Sequence, residues 1–274
     1  MARASKKEAS HGIPETLRKD FVMTAATSPA SGSNSGELLR AQVAACTRLL
    51  NMLGVLHYSG HVSARVPGKD QLYIQTRTES RAEVTPESIL LVDFDGNVLE
   101  GAPGKPPSEL VIHTEVYRKR PDVGAVIHNH MPLATAITMV RGRKIEIMDF
   151  HASRWAAGIP MMEEVGHIKS KADGEALAGS LGDANALLLR AHGLVLTSEN
   201  APAILVDTVH FEDNLKAMKE ALSFGDDIRP ITKEELARVG EYEDRGHHIR
   251  KMWNYYVGEG RKAGLLPVGW DVRL

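Results

Sequence analysis

The chain has a single cysteine, no excess of charge of one sign and no long apolar run. One cysteine, Cys46, cannot form an internal disulfide framework, and this fits the reducing environment of the cytoplasm. The formal net charge is -2, with basic and acidic residues interspersed, so neither nucleic acid nor an anionic membrane is expected as the main partner. No apolar run reaches the length of a bilayer-spanning helix.

Residues 1–36 lack the apolar segment of a secretory signal peptide, and acids such as Glu8, Glu15 and Asp20 do not fit a transit peptide. The segment is rich first in Lys, Arg and Ser, and then in Ala, Ser and Gly, which predicts a flexible N-terminal tail. The remaining residues, 37–274, are expected to form one domain with a C-terminal helical extension. A chain that is 43% hydrophobic can bury a sizeable core at this length.

Hydrophobic periodicity predicts helices around a partly antiparallel sheet, in one α/β layered domain. A helix is expected from Glu37 to Leu53, followed by an antiparallel meander over residues 60–100 with a tight turn at Asp95-Gly96. Alternation over residues 144–148 predicts a further strand.

The C-terminal half carries clear helix signals. Asn200 is expected to cap a long helix that runs to about Phe224. Thr232 and Glu235 form a capping box that starts a last helical region, which Gly240 and Gly246 are expected to interrupt.

The stretch around which the chain is organised is a helix that opens on a carboxylate, followed by a strand that ends in two histidines. Ser108 is expected as the N-cap, and Glu109 falls in the first turn, where the helix dipole favours its anion. The apolar run 123–127 predicts the strand. Its alternation places His128 and His130 on one face, where two imidazoles can hold one metal ion.

A His-x-His pair by itself is also found as two ordinary surface or hydrogen-bonded histidines. A third residue favours the metal. His192 and Gly193 interrupt the apolar run 186–196, which reads as a strand, and a polar residue inside such a run is costly unless it has a partner. A metal ion would be that partner.

The segment 60–65 reads Gly-His-Val-Ser-Ala-Arg at the head of a strand. Its glycine could offer backbone N–H groups to an anion, but a plain hairpin edge is favoured on the residues alone. His151 is of some interest because it ends the strand predicted over 144–148, near the presumed cleft. The other histidines are interpreted as surface or core-edge residues, namely His57, His113, His167, His210, His247 and His248.

These elements together resemble the class II aldolase/adducin family. The matching stretches are Gly60 to Arg65, Ser108-Glu109 with 117–122, Ala125 to His130, and Leu188 to Val195, in the order and spacing of the family. The resemblance covers roughly Glu37 to Phe224. It implies a three-layer α/β/α fold with a mostly antiparallel central sheet, and a homotetramer or larger assembly with sites near subunit boundaries.

The resemblance also implies a divalent metal ion, Mn, Zn, Co or Fe, held by three histidines that map to His128, His130 and His192. The acid/base or ligand carboxylate of the family maps to Glu109. A small-molecule substrate is therefore expected, and residues 37–274 are expected to be a catalytic domain.

Two departures from the family bear on the substrate. The sugar-phosphate aldolases usually have Asn at the position of His61, and Ser-Ser-Glu where this chain has Pro107-Ser108-Glu109, so a phosphosugar is disfavoured. The loop 76–81 and the segment of His61 and Ser63 look more like a decarboxylase branch that acts on hydroxylated aromatic or pyridine dicarboxylates. His61, Ser63 and Arg77 are then expected to bind substrate, because an arginine fork reads a carboxylate bidentately.

Two other functions stay open. The first is an aldolase, epimerase or dehydratase that acts on a sugar or sugar phosphate. The second is a non-catalytic, adducin-like interaction domain, against which the three histidines argue because a binding module has no need of convergent imidazoles.

Overall fold

The structure, a computed structural model, describes residues 33–240 and 244–274. The predicted tail lies outside the described residues, except that residues 33–36 already belong to the first helix. The helices are α1 (Ser33–Met52), α2 (Leu110–Lys119), α3 (Pro132–Thr138), α4 (Lys171–Leu181), α5 (Ala201–Phe224), α6 (Lys233–Gly240) and α7 (Arg245–Lys262). The strands are β1 (His61–Arg65), β2 (Gln71–Ile74), β3 (Leu90–Asp93), β4 (Val98–Glu100), β5 (Ala125–Asn129), β6 (Met161–Met162), β7 (Ala186–Leu189) and β8 (Gly193–Ser198).

The strands form one sheet in the order β4-β3-β2-β1-β5-β8-β7-β6. All neighbouring pairs are antiparallel except β6 and β7, which are parallel. The first four strands are consecutive neighbours, which confirms the meander predicted over residues 60–100. Since β1 lies between β2 and β5, the segment that begins at Gly60 is in the middle of the sheet, and its interpretation as a hairpin edge was wrong.

Alternation along the strands sends side chains into two separate cores. On one face, residues such as Val62, Ile127 and Leu196 pack with α1, α3, α5, α6 and α7. On the other face, residues such as Val126 and Val195 pack against α2 and α4. The result is the expected three-layer α/β/α arrangement with a mostly antiparallel sheet. Burial of these apolar faces is the main force that holds the layers together.

The cap predicted at Ser108 was wrong. The backbone N–H of Leu110 donates to the Pro107 carbonyl at 3.2 Å, which closes a separate turn and leaves Ser108 before the helix. Glu109 therefore occupies the N-cap position of α2, and its side chain makes no capping hydrogen bond. The carboxylate is left available for another partner.

The strand predicted over residues 144–148 is also not formed. This segment finds no neighbouring strand, and its backbone is satisfied by other groups. Asn214 on α5 accepts from the Met148 N–H at 2.8 Å and donates to the Glu146 carbonyl at 2.9 Å, and the Ile231 N–H donates to the Ile147 carbonyl at 2.8 Å.

Most of the helix signals predicted in the C-terminal half are confirmed. Asn200 caps α5 by accepting from the Ala203 N–H at 2.9 Å, and Thr232 and Glu235 form the expected box before α6. Gly246, however, lies inside α7 and does not interrupt it. None of the described helices is long and apolar enough to cross a membrane.

Candidate metal centre

Four side chains from three distant parts of the chain converge at one point. Glu109, His128, His130 and His192 each offer a ligand atom, and these atoms all lie within 4.8 Å of one another. The two ring nitrogens Nε2 of His128 and His130 are 3.0 Å apart. The Glu109 carboxylate lies 3.6 Å from His128 Nε2 and 3.7 Å from His192 Nε2. The structure thus brings together every residue for which the sequence predicted a ligand or acid/base role.

The run 186–196 is a hairpin of β7 and β8, not the single interrupted strand expected from its apolar residues. His192 lies in the turn. Ala191 before it has φ +56, a left-handed conformation that alanine rarely adopts, and its N–H donates to Thr138 Oγ1 at 3.0 Å. This strained turn directs His192 toward the other ligands.

Two glycines let the backbone come close enough for the ligands to meet. A Cβ on Gly193 would lie 2.3 Å from the Asn129 carbonyl oxygen and 3.0 Å from His130 Cδ2. A Cβ on Gly60, which has φ +90, would lie 2.8 Å from the His128 carbonyl oxygen. Larger residues at these positions would push the strands apart at the site.

Hydrogen bonds on the far side of two imidazoles fix their orientation. His128 Nδ1 lies 3.0 Å from the Leu194 carbonyl oxygen, which can only accept, so Nδ1 carries the proton and Nε2 presents a lone pair to the cluster. His130 Nδ1 bonds to Ser59 Oγ at 2.8 Å, which also turns its Nε2 inward. Such outer bonds are typical of histidines that hold a metal ion.

The electrostatics of the cluster favour neutral imidazoles. Burial lowers the pKa of His128 well below its ordinary value, and the neighbouring rings of His61 and His130 lower it further. Burial also lowers the pKa of His130. Neutral imidazole is the form that binds metal, and a set of three histidines with one carboxylate suits Zn, Mn, Fe or Co. The residues present therefore fit the divalent ion expected here.

A buried chain of hydrogen bonds lies behind the cluster, between β1 and α2. His61 Nδ1 is 2.6 Å from His113 Nε2, and Ser63 Oγ is 2.7 Å from both His113 Nδ1 and the Tyr117 hydroxyl. Burial is the main cause that lowers the pKa of His113, to about 3. The His61 ring also approaches that of His128, with centroids 5.2 Å apart.

This buried hydrogen-bond network does not fit the prediction that Ser63 contacts the substrate. Ser63 is fully buried and engaged by two partners, so it has no surface to offer a substrate. His61 is 5% exposed, and its ring contacts that of His128. Arg77 is exposed, and its Nε donates to the Pro106 carbonyl at 3.2 Å, which ties its loop to the segment that leads to Glu109.

Sequence reasoning missed several residues around the site. His113 was interpreted as a surface or core-edge residue, but it is fully buried. The signal was present, because Glu109, His113 and Tyr117 recur every four residues and so share one face of α2. His167 was also overlooked, although its Nδ1 lies 3.9 Å from Glu109 Oε1 and its ring is largely exposed. No sequence pattern pointed to it.

Comparison with known proteins adds an independent line of evidence. Residues 41–218 match the family model described as the Class II Aldolase and Adducin N-terminal domain. The 3,4-dihydroxyphthalate decarboxylase of Arthrobacter keyseri is 28% identical over 193 residues, which are 66% of this chain and 77% of that protein. An adducin-related protein of Schizosaccharomyces pombe is 28% identical over 176 residues, 60% of this chain but only 53% of that protein.

Other relatives include a methylthioribulose-1-phosphate dehydratase and an L-fuculose phosphate aldolase. Among solved structures, an aldolase II superfamily protein from Pseudomonas syringae superposes with a TM-score of 0.76 at 23% identity, over 86% of this chain and 97% of that one. These relatives carry out different reactions, so the match alone does not select one of them.

Proposed function

Because the chain belongs to the class II aldolase and adducin family, we propose that it is a divalent-metal-dependent carbon–carbon lyase that decarboxylates a hydroxylated aromatic or heteroaromatic carboxylate. The observation that carries the proposal is the convergence of Glu109 with His128, His130 and His192 within 4.8 Å. An ion held by the three histidines, with Glu109 beside it, would stabilise the negative charge that develops on a substrate oxygen when the carbon–carbon bond breaks.

Glu109 is assigned the proton transfer. Its Oε1 accepts from the Ile168 N–H at 3.2 Å, and its Oε2 faces His128, so the carboxyl group is held in one orientation at the edge of the cluster. The ring carbon that bears the carboxylate takes a proton, and when carbon dioxide leaves, the electron pair of the broken bond returns to the ring and its adjacent oxygen. We assign delivery of this proton to the carboxyl group of Glu109.

The substrate class is inferred from the residues around the cluster. Arg77 presents an exposed guanidinium on the loop joined to the Pro106 carbonyl, which suits recognition of a second carboxylate. His61 and Pro107 stand where sugar-phosphate aldolases usually have polar groups that help to hold the phosphate. The decarboxylase of Arthrobacter keyseri, whose name specifies a dihydroxyphthalate, supports the same class.

The test incubates the metal-loaded protein with hydroxyphthalate-type acids and, separately, with sugar phosphates. Release of carbon dioxide from the acids is the expected result. An aldehyde, an isomer or a dehydrated product from the sugar phosphates would overturn the proposal in favour of the aldolase, epimerase or dehydratase function.

An adducin-like interaction domain is the remaining possibility. Elemental analysis that finds no bound metal, together with no turnover after reconstitution, would favour it. We further propose a homotetramer or larger assembly, as the family implies, which sedimentation analysis of the purified chain would test.

A further inference from the structure

A second histidine cluster lies on the other side of the sheet, among the helices that pack with α5. It consists of His151 on the 3₁₀ helix Phe150–Trp155, His210 on α5 and His248 on α7. Each ring offers one nitrogen, and these nitrogens all lie within 4.8 Å of one another. The three histidines are separated by many residues in the sequence, so only the fold brings them together.

The spacing of this cluster matches that of the candidate metal centre. Its ring centroids are 4.7, 4.7 and 5.2 Å apart, against 4.8, 5.0 and 5.0 Å for His128, His130 and His192. The Nε2 atoms of His210 and His248 are 2.9 Å apart, against 3.0 Å for His128 and His130. The orientations of the rings differ, because those of the second cluster are inclined at only 15–17° to one another and those of the first at 51–75°.

A layer of charged residues aligns the three elements that carry the second cluster. Three residues beyond His151 is Arg154, three before His210 is Asp207, and three before His248 is Arg245. Arg154 Nε lies 3.3 Å and Arg245 Nη2 2.8 Å from the buried Asp207 Oδ2. Residues three apart lie on one side of a helix, so this charged layer is stacked directly against the layer of imidazoles.

One nitrogen of the imidazole layer is left without a hydrogen-bond partner in the described part of the chain. A hydrogen bond in which one of the two Nε2 atoms donates and the other accepts can account for the 2.9 Å contact between His210 and His248. His151 Nδ1, however, is buried and has no hydrogen-bond partner among the described residues. A buried nitrogen without a partner is costly, and an ion at the centre of the cluster would supply one.

Burial favours the neutral form of one ring of the second cluster, that of His210. Burial lowers the pKa of His210 to about 4, and the neighbouring rings of His151 and His248 lower it further. A neutral imidazole keeps a lone pair that is available for coordination.

We propose that His151, His210 and His248 bind one transition-metal ion of the Zn²⁺ type, separate from the candidate catalytic centre. Neutral imidazoles alone favour zinc, copper or nickel over the hard ions magnesium and calcium. Such an ion would join the 3₁₀ helix and α7 to α5, and so fasten the C-terminal helical region to the catalytic core. This inference does not depend on the reaction proposed above.

The first experiment counts zinc in the full-length protein. The chain is stripped with a chelator, dialysed against buffered Zn²⁺ and analysed for bound metal. We expect about two ions per chain, because each cluster offers at least three ligand atoms within 4.8 Å of one another. The His248→Ala variant should retain about one, whereas His247→Ala, which removes an exposed histidine beside it, should retain about two.

The second experiment separates the two sites and guards against a variant that fails to fold. In a double variant, His128→Ala with His192→Ala, Zn²⁺ at about 100-fold above its Kd should still raise Tm by about 5–10 °C. Adding His151→Ala to this background should abolish that shift. Loss of all zinc in the double variant, or an unchanged zinc count in His248→Ala, would overturn the proposal.

Discussion

In the candidate catalytic centre a carboxylate faces three imidazoles, whereas the second cluster consists, within residues 33–240 and 244–274, of imidazoles alone. The first centre lies where β5 ends and the β7–β8 turn begins, next to exposed His167. The second lies between helices, beneath the ion pairs of Arg154, Asp207 and Arg245. Equal spacing of the rings therefore occurs in two very different surroundings.

The difference suggests how one chain can use the same ligand for two purposes. A catalytic ion needs a neighbouring acid, a role that Glu109 can fill at the first centre. A structural ion needs ligands from separate elements, which the three histidines offer. It also needs rigid support, which the charged layer provides. Variants of the two clusters should accordingly differ in what they change.

The largest effect is expected from His192→Ala. Loss of this ligand should reduce turnover by more than about 100-fold. Replacing a residue that only orients a metal ligand lowers activity by up to about 100-fold, and loss of the ligand itself should cost more. Metal retention at the first centre should fall with turnover. The matched variant His151→Ala should lower zinc content at the second cluster and leave turnover of metal-loaded protein unchanged.

Steady-state rates and elemental analysis of both variants decide the comparison. Unchanged metal content and turnover in His192→Ala would mean that the first centre is wrongly assigned. A loss of turnover in folded, metal-loaded His151→Ala would mean that the two clusters are not independent.

Glu109→Gln should have the next largest effect. The amide keeps the shape of the side chain but cannot deliver a proton as a carboxyl group does, so we expect the rate to fall by about 10²–10⁴-fold. Folding should be little affected, because this side chain makes no capping hydrogen bond to α2. Metal content and thermal unfolding measured beside the rate separate proton transfer from ligation. Parallel loss of metal and rate would instead make Glu109 a ligand.

Local patterns in the sequence were sufficient for much of the fold and pointed to the side chains that converge at the first centre. The cap at Asn200, the box of Thr232 and Glu235, and the meander all depend on nearby residues, and each is formed as expected. His128 and His130 are two residues apart on one strand, and His192 was singled out because it interrupts an apolar run, before the family resemblance pointed to the same residue. Convergence of all three with Glu109 followed from the fold.

Features that depend on contacts between distant elements were not predicted. The backbone at residues 144–148 is satisfied by Asn214, a side chain that follows much later in the chain, so its alternation was misleading. Each of the three elements that form the second cluster carries one charged residue and one histidine three positions apart. The pairs are Arg154 with His151, Asp207 with His210, and Arg245 with His248. Each pair is unremarkable until packing brings the elements into contact.

The smallest predicted effect concerns Gly193. Its replacement tests whether the first centre depends on the close approach of two backbone segments, a contact that the second cluster does not require. A Cβ on Gly193 would meet the Asn129 carbonyl oxygen at 2.3 Å, so Gly193→Ala must displace the β7–β8 turn or β5. We expect a loss of about 1–3 kcal/mol in the free energy of unfolding, as overpacking typically costs. Gly166→Ala is the control, because nothing lies within 4 Å of its added Cβ.

The same displacement should weaken metal binding at the first centre and spare the second, since His192 directly precedes Gly193 whereas the ligands on α5 and α7 lie across the sheet. Thermal unfolding and zinc titration of the two alanine variants measure both effects. If Gly193→Ala matches Gly166→Ala in stability and in zinc count, the close contact between Gly193 and Asn129 does not hold the first centre together, and the strained turn at Ala191 must position His192 by itself.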